Sequence, residues 1–131
     1  MISPEIIKIA SDTTNYGIKK KSNYVASSKN RICGDRITVE VEISNNIIKK
    51  MYYETESCIF CEAAASLLSK IIKKNTIQEF LLLADSVKKE KIILVKKHQP
   101  FKKLFHYKYK KRINCVMLPF DALRKAVSIT I

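Results

Sequence analysis

Five side chains carry most of the chemistry open to this 131-residue chain: Cys33, Asp35, Cys58, Cys61 and Cys115. Thiolates with a carboxylate are donors for zinc or for iron–sulfur clusters, provided the fold brings them to one point. Gly34 stands between Cys33 and Asp35, and the chain has only two glycines. Glycine tolerates backbone angles that other residues resist, so Cys33-Gly34-Asp35 reads as a tight turn that lets a thiol and a carboxylate face one point. A carboxylate is a harder ligand than a thiolate, so Asp35 would hold a soft metal less tightly and favour its release. Two other uses of the thiols stay open. In a secreted protein four cysteines could form two disulfides, and free cysteines often serve as small buried hydrophobes.

The elements around these residues place Cys33, Cys58 and Cys115 each at the end of one. Ile37, Val39, Val41 and Ile43 alternate with Thr38, Glu40 and Glu42, Ser44-Asn45-Asn46 is turn chemistry, and IIKKMYYET follows as a second strand. This predicts a β-hairpin with one buried face, entered just after Cys33 and Asp35. After Cys58 the period changes, and Ala64, Leu67, Leu68, Ile71 and Ile72 form one helical stripe. Thr76 and Glu79 form a capping box for a helix from Ile77 to about Lys89. Cys115 reads as lying in a short loop before a last helix opened by Pro119 and carrying Phe120, Leu123, Ala126 and Val127. Helix N-termini stabilise anions, which favours the thiolate. Cys61 is three residues after Cys58 and could reach the same point, as an alternative ligand or a second thiol for a persulfide; its competing account is a buried helix residue.

Toward the N-terminus, Ser3-Pro4-Glu5 starts a short helix, and residues 11–31 read as an exposed loop because they are polar without period. Residues 90–112 are ambiguous, with an apolar run at Ile92 to Val95 and a break at Pro100. Helices follow strands instead of alternating with them, so the class is α+β: a small antiparallel sheet packed against helices, as one domain over residues 1–131.

Net charge is +13, from 21 lysines and four arginines against 12 carboxylates. Eleven basic residues fall between Lys88 and Arg112. Such a stretch suits protein docking, solubility or nucleic acid, and Phe101, Phe105, Tyr107 and Tyr109 could stack on bases. Scarce arginine and the lack of one presented face argue against nucleic acid as a partner. His98 and His106 read as solvated. The sequence MISPEIIKIA lacks a secretory pattern, and no apolar run approaches the roughly 20 residues of a membrane span. The expectation is a cytoplasmic protein with no membrane partner, in which metal or thiol chemistry outranks disulfides.

Cys33-Gly34-Asp35 before a strand, Cys58 before a helix with Ala65-Ser66, and Cys115 before VMLPFDALRKAV resemble the U-type iron–sulfur cluster assembly scaffolds: IscU, SufU and the NifU N-terminal domain. The resemblance runs from about Asn30 to Val127. It implies that Cys33, Cys58 and Cys115 are the cluster or zinc ligands and that Asp35 keeps a bound cluster labile. It also implies the SufE/NifU-like fold. The chain departs from the family pattern at Arg31, where proline is usual, and at Asn114, where Isc-type members have histidine. KYKKRIN replaces the segment recognised by Isc-type chaperones, so no such partner is implied.

The function implied is a scaffold and carrier, not an enzyme. It would take sulfur from a cysteine desulfurase, assemble a transient [2Fe–2S] cluster and pass it to apo acceptor proteins. The alternative of the same family is a SufU-like subunit that holds Zn2+ and accepts persulfide from its desulfurase. A basic zinc- or RNA-binding module with a structural site is a third reading.

Overall fold

The computed structural model describes residues 2–31, 34–88, 101–104 and 111–129. Its centre is the strand pair that alternation predicts, β2 (Arg36–Ser44) and β3 (Ile47–Glu56), antiparallel from Arg36↔Glu56 to Ser44↔Ile47. Asn45 and Asn46 join them, with φ of 52° and 64°. Positive φ at both positions matches the twist of a two-residue hairpin loop, and asparagine tolerates it better than most residues. Ile37, Val39 and Val41 are fully buried on one face, as expected.

The opposite face is less polar in its surroundings than alternation suggests. Glu40 is fully buried there. Its Oε1 accepts the backbone N–H groups of Lys19 (2.6 Å) and Lys20 (3.0 Å), and its Oε2 those of Lys21 (2.6 Å) and Ser22 (2.9 Å). One carboxylate therefore fixes a loop across the outer face of the sheet. Burial alone would raise the Glu40 pKa, but the four donors together hold it below the ordinary glutamate value.

The stretch read as a loop from 11 to 31 contains a strand, β1 (Tyr24–Lys29), paired antiparallel with β2 from Tyr24↔Val41 to Lys29↔Arg36. Its YVASSK sequence exposes every second residue but offers little apolar side chain to the covered face. Alternation was thus present in burial and absent in hydropathy. The sheet order is β1-β2-β3.

Five helices complete the described fold: α1 (Pro4–Ala10), α2 (Ile59–Ile71), α3 (Ile77–Lys88), α4 (Phe101–Leu104) and α5 (Ile113–Ser128). The predicted capping box is present, with Glu79 N–H donating to Thr76 Oγ1 (3.1 Å) and Thr76 N–H to Glu79 Oε1 (3.0 Å). Helix α5 packs on β1, β2 and α2, and α1 packs on α2. Between sheet and helices lies one core that includes Leu68, Phe80, Leu83, Phe120 and Leu123. Phe101 joins it against Phe120, ring centroids 5.3 Å apart, so this aromatic is core and not a stacking surface. The architecture is α+β, a small antiparallel sheet packed on helices.

Helix α5 begins six residues earlier than Pro119 suggested, at Ile113. Proline usually marks a first turn because it lacks an N–H. Here Pro119 lies inside the helix, buried, and Cys115 belongs to the first turn instead of a preceding loop. No described helix is long and apolar enough to cross a membrane. Cys33, His98 and His106 lie outside the described residues, as does most of the lysine-rich stretch, including Phe105, Tyr107 and Tyr109.

Candidate metal centre

Asp35 immediately precedes β2, at the end of a closed turn. Gly34 N–H donates to Asn30 O (2.8 Å) and Asn30 N–H to Asp35 O (2.8 Å). Gly34 has φ +74°, and a Cβ there would meet nothing within 4 Å. Backbone conformation, not lack of room, is what calls for glycine.

Cys58 caps α2 in extended conformation, φ −74° and ψ 167°, yet its side chain makes no capping hydrogen bond. A serine or threonine would turn its oxygen back onto the helix; the sulfur is left to face the site. Cys115 enters from the first turn of α5. Pro119, four residues on, has no N–H to donate to the Cys115 carbonyl, so the helix gives up its ordinary bond at that cysteine. Arg112, just before α5, places its guanidinium 6.0 Å from the centre of the Phe60 ring, tying the starts of the two helices together.

The outcome is a cluster of three donors: one ligand atom each from Asp35, Cys58 and Cys115, all within 4.8 Å of one another. A tetrahedral zinc with Zn–S bonds near 2.3 Å spaces its ligand atoms about 3.5–3.8 Å apart, so small side-chain movements close the set on an ion. Asp35 is 5% exposed and Cys115 1%, whereas Cys58 is half-buried. Asp35 Oδ2 is buried and lacks a hydrogen-bond partner among the described residues. An orphaned carboxylate oxygen beside two sulfurs is costly unless a cation completes it. The donor chemistry fits zinc or iron.

The electrostatics differ from the helix-end expectation. Burial raises the Cys115 pKa, and hydrogen bonds and charge from Asp35 and Cys58 raise it further. The helix terminus is outweighed, and these surroundings favour the protonated thiol at Cys115. A metal must displace that proton.

Cys61 is not part of this trio. It is fully buried one turn into α2, with Thr55 Oγ1 3.8 Å from its sulfur. Burial pushes its pKa up to about 11, against hydrogen bonds from Ser57 and Thr55 that lower it. Neither hydroxyl residue stood out in the sequence. Ser and Thr in ETESC are common at strand ends, and only the β3–α2 corner turns them toward Cys61.

Residues 1–129 match the family model of the NifU-like N terminal domain. The chain belongs to the NifU-like N-terminal domain family. It is 24% identical over 127 residues to each of two iron–sulfur cluster assembly scaffold proteins of Archaeoglobus fulgidus, IscU 1 and IscU 2, covering 97% of this chain and 74% of each relative. It is 26% identical over 89 residues to the IscU scaffold protein of Thermotoga maritima, covering 68% of this chain and 63% of that one. The NifU-like fold is shared with a NifU-like protein N-terminal structure from Brucella abortus (TM-score 0.86, 19% identity, 96% and 91% of the two chains). It is shared too with a structure described as a SUF-system scaffold, from Fervidobacterium islandicum AW-1 (TM-score 0.78, 20% identity, 92% of each chain).

Proposed function

We propose that this NifU-like chain is an iron–sulfur cluster assembly scaffold. It takes sulfur from a cysteine desulfurase, assembles a [2Fe–2S] cluster on Cys33, Asp35, Cys58 and Cys115, and passes it to apo acceptor proteins in the cytoplasm. The observation that carries this reading is the grouping of Asp35, whose buried Oδ2 lacks a hydrogen-bond partner among the described residues, with the Cys58 and Cys115 sulfurs, their ligand atoms within 4.8 Å of one another. Three soft or mixed donors on separate elements make a site that can be loaded from the Cys58 side. Including a carboxylate among thiolates keeps one bond hard and weak toward the soft cargo, which suits release over storage. The chain needs no catalytic group for this role; its work is thiolate ligation and positioning.

Anaerobic purification with iron, sulfide and zinc analysis and a visible spectrum tests the reading. Iron and acid-labile sulfide in equal amounts, with thiolate-to-iron absorption, support it. Stoichiometric zinc that resists replacement by iron and sulfide would move the chain to the zinc-bearing, persulfide-accepting role.

A further inference from the structure

Strand β3 ends at Glu56, and the Arg36↔Glu56 pair is the last rung joining it to β2. Beyond that rung the two chains part. One leads back to Asp35, one residue before Arg36, and the other runs on through Ser57 to Cys58. Among the described residues no strand pairing of β2 with β3 extends past this rung, so the ladder itself does not set the separation of the carboxylate and the sulfur.

Thr55 stands at this open end. It pairs with the fully buried Ile37, so its side chain lies on the covered face of the hairpin, where an aliphatic residue is the ordinary choice. Its hydroxyl instead reaches both diverging chains. Thr55 Oγ1 donates to the Arg36 carbonyl at 2.7 Å and lies 2.6 Å from Ser57 Oγ. A hydroxyl has one proton and a carbonyl only accepts, so the Thr55 proton goes to Arg36 and Ser57 supplies that of the 2.6 Å bond. The Cys61 sulfur approaches the same oxygen, at 3.8 Å, from the first turn of α2. One side-chain oxygen thus touches the residue after Asp35, the residue before Cys58 and the helix that Cys58 caps.

We propose that Thr55 is a positioning residue of the metal centre, its hydroxyl fixing how far apart the Asp35 carboxylate and the Cys58 sulfur stand. This rests on the reading of Asp35, Cys58 and Cys115 as ligands. Each of the first two is anchored within its own segment: the Asp35 carbonyl accepts the Asn30 N–H at 2.8 Å, and the Cys58 carbonyl accepts the Glu62 N–H at 3.1 Å. Neither bond relates one ligand to the other. The Thr55 hydroxyl joins the two segments, and a β-branched side chain has few χ1 choices, so the strand backbone dictates where Oγ1 stands. A metal ion takes its donors at fixed separations, so slack between two of them lowers affinity and changes the ligand field.

The test is anaerobic cobalt titration of the metal-free chain, reading thiolate-to-metal absorption for affinity and the d–d bands for ligand geometry. Thr55→Val keeps the shape and removes the hydroxyl; it should bind cobalt about 10–100-fold more weakly, the usual loss for an outer-shell partner, with shifted d–d bands. Thr55→Ser keeps the hydroxyl and should recover most of the affinity and the wild-type bands. In an Asp35→Ala chain the Thr55→Val penalty should shrink several-fold, well beyond the about twofold scatter of independent sites. Ser57→Ala removes one arm of the tie and should weaken binding in the same direction; it carries the test if Thr55→Val does not fold. Unchanged affinity and bands in Thr55→Val or Ser57→Ala, no recovery in Thr55→Ser, or an undiminished penalty beside Asp35→Ala overturns the positioning role and leaves the centre standing. A wild-type chain that binds no cobalt removes the ligand set, and the positioning role falls with it.

Discussion

Cys58 and Cys115 are 57 positions apart in sequence, yet a ligand atom of each lies within 4.8 Å of the other and of Asp35. The Arg112 guanidinium, 6.0 Å from the Phe60 ring centre, bridges the two helix starts that carry them. Replacing Cys115 with serine should therefore leave the fold intact and weaken metal binding by at least about 100-fold, the upper range for losing even an outer-shell partner. Cobalt titration followed by thiolate-to-metal absorption measures it. Unchanged affinity would remove Cys115 from the donor set.

Asp35→Ala removes a buried carboxylate with an unpartnered oxygen. The metal-free chain should become more stable by about 1–3 kcal/mol, the cost of an unsatisfied buried group. A bound cluster should assemble and then transfer to an apo-ferredoxin several-fold more slowly. Faster or unchanged transfer counts against Asp35 as the labile ligand.

Gly34→Ala should cost about 1–2 kcal/mol because alanine resists φ +74°, although its Cβ has room. Gly34→Asn should cost less, since asparagine visits that region more readily. Equal denaturation midpoints for the two variants would show that the turn adapts.

Glu40 sets an acid limit. Its folded-state pKa is depressed, so its stabilisation is complete above the unfolded value of about 4.3 and is lost as pH falls through the folded value. Glu40→Gln should lose about 2–3 kcal/mol at neutral pH. The difference from wild type should shrink as acid protonates the carboxylate. A difference that persists at low pH would point to packing instead of charge.

Cys61 sets an alkaline one. Its pKa is raised to about 11 from 9.0, so the contribution is intact below pH 9 and lost as pH rises toward 11. Urea denaturation of the metal-free chain across that window should show falling stability, and Cys61→Ala should flatten the fall. An equally steep fall in that variant would assign the effect elsewhere.

The hairpin, the Thr76–Glu79 cap and the glycine turn were legible because each depends on local chemistry: alternation, a reciprocal cap and a positive φ. Strand β1 was not, since YVASSK is held by pairing to β2 and by α5 above it, neither of which writes a local pattern. The start of α5 was misread because a proline inside a helix looks the same in sequence as one that opens it. That Asp35, Cys58 and Cys115 share one point was suggested by their types and the family resemblance, and the structure brings these three together. The Glu40 clamp was hidden because a glutamate alternating outward gives no sign that a loop will close over it.

Because Asp35 precedes β2 and Cys58 caps α2 while Cys115 lies in the first turn of the last helix, the donors become available in sequence order as the chain is made. At about 5–20 residues per second, the ribosome adds the 57 positions from Cys58 to Cys115 over roughly 3–11 seconds. During that interval a nascent chain carries Asp35 and Cys58, and Cys33 of the proposed ligand set, without Cys115. Docking of α5 onto β1 and β2 then completes the core and the ligand set in one event. If these residues are the ligands, full metal capture is expected only once α5 has docked.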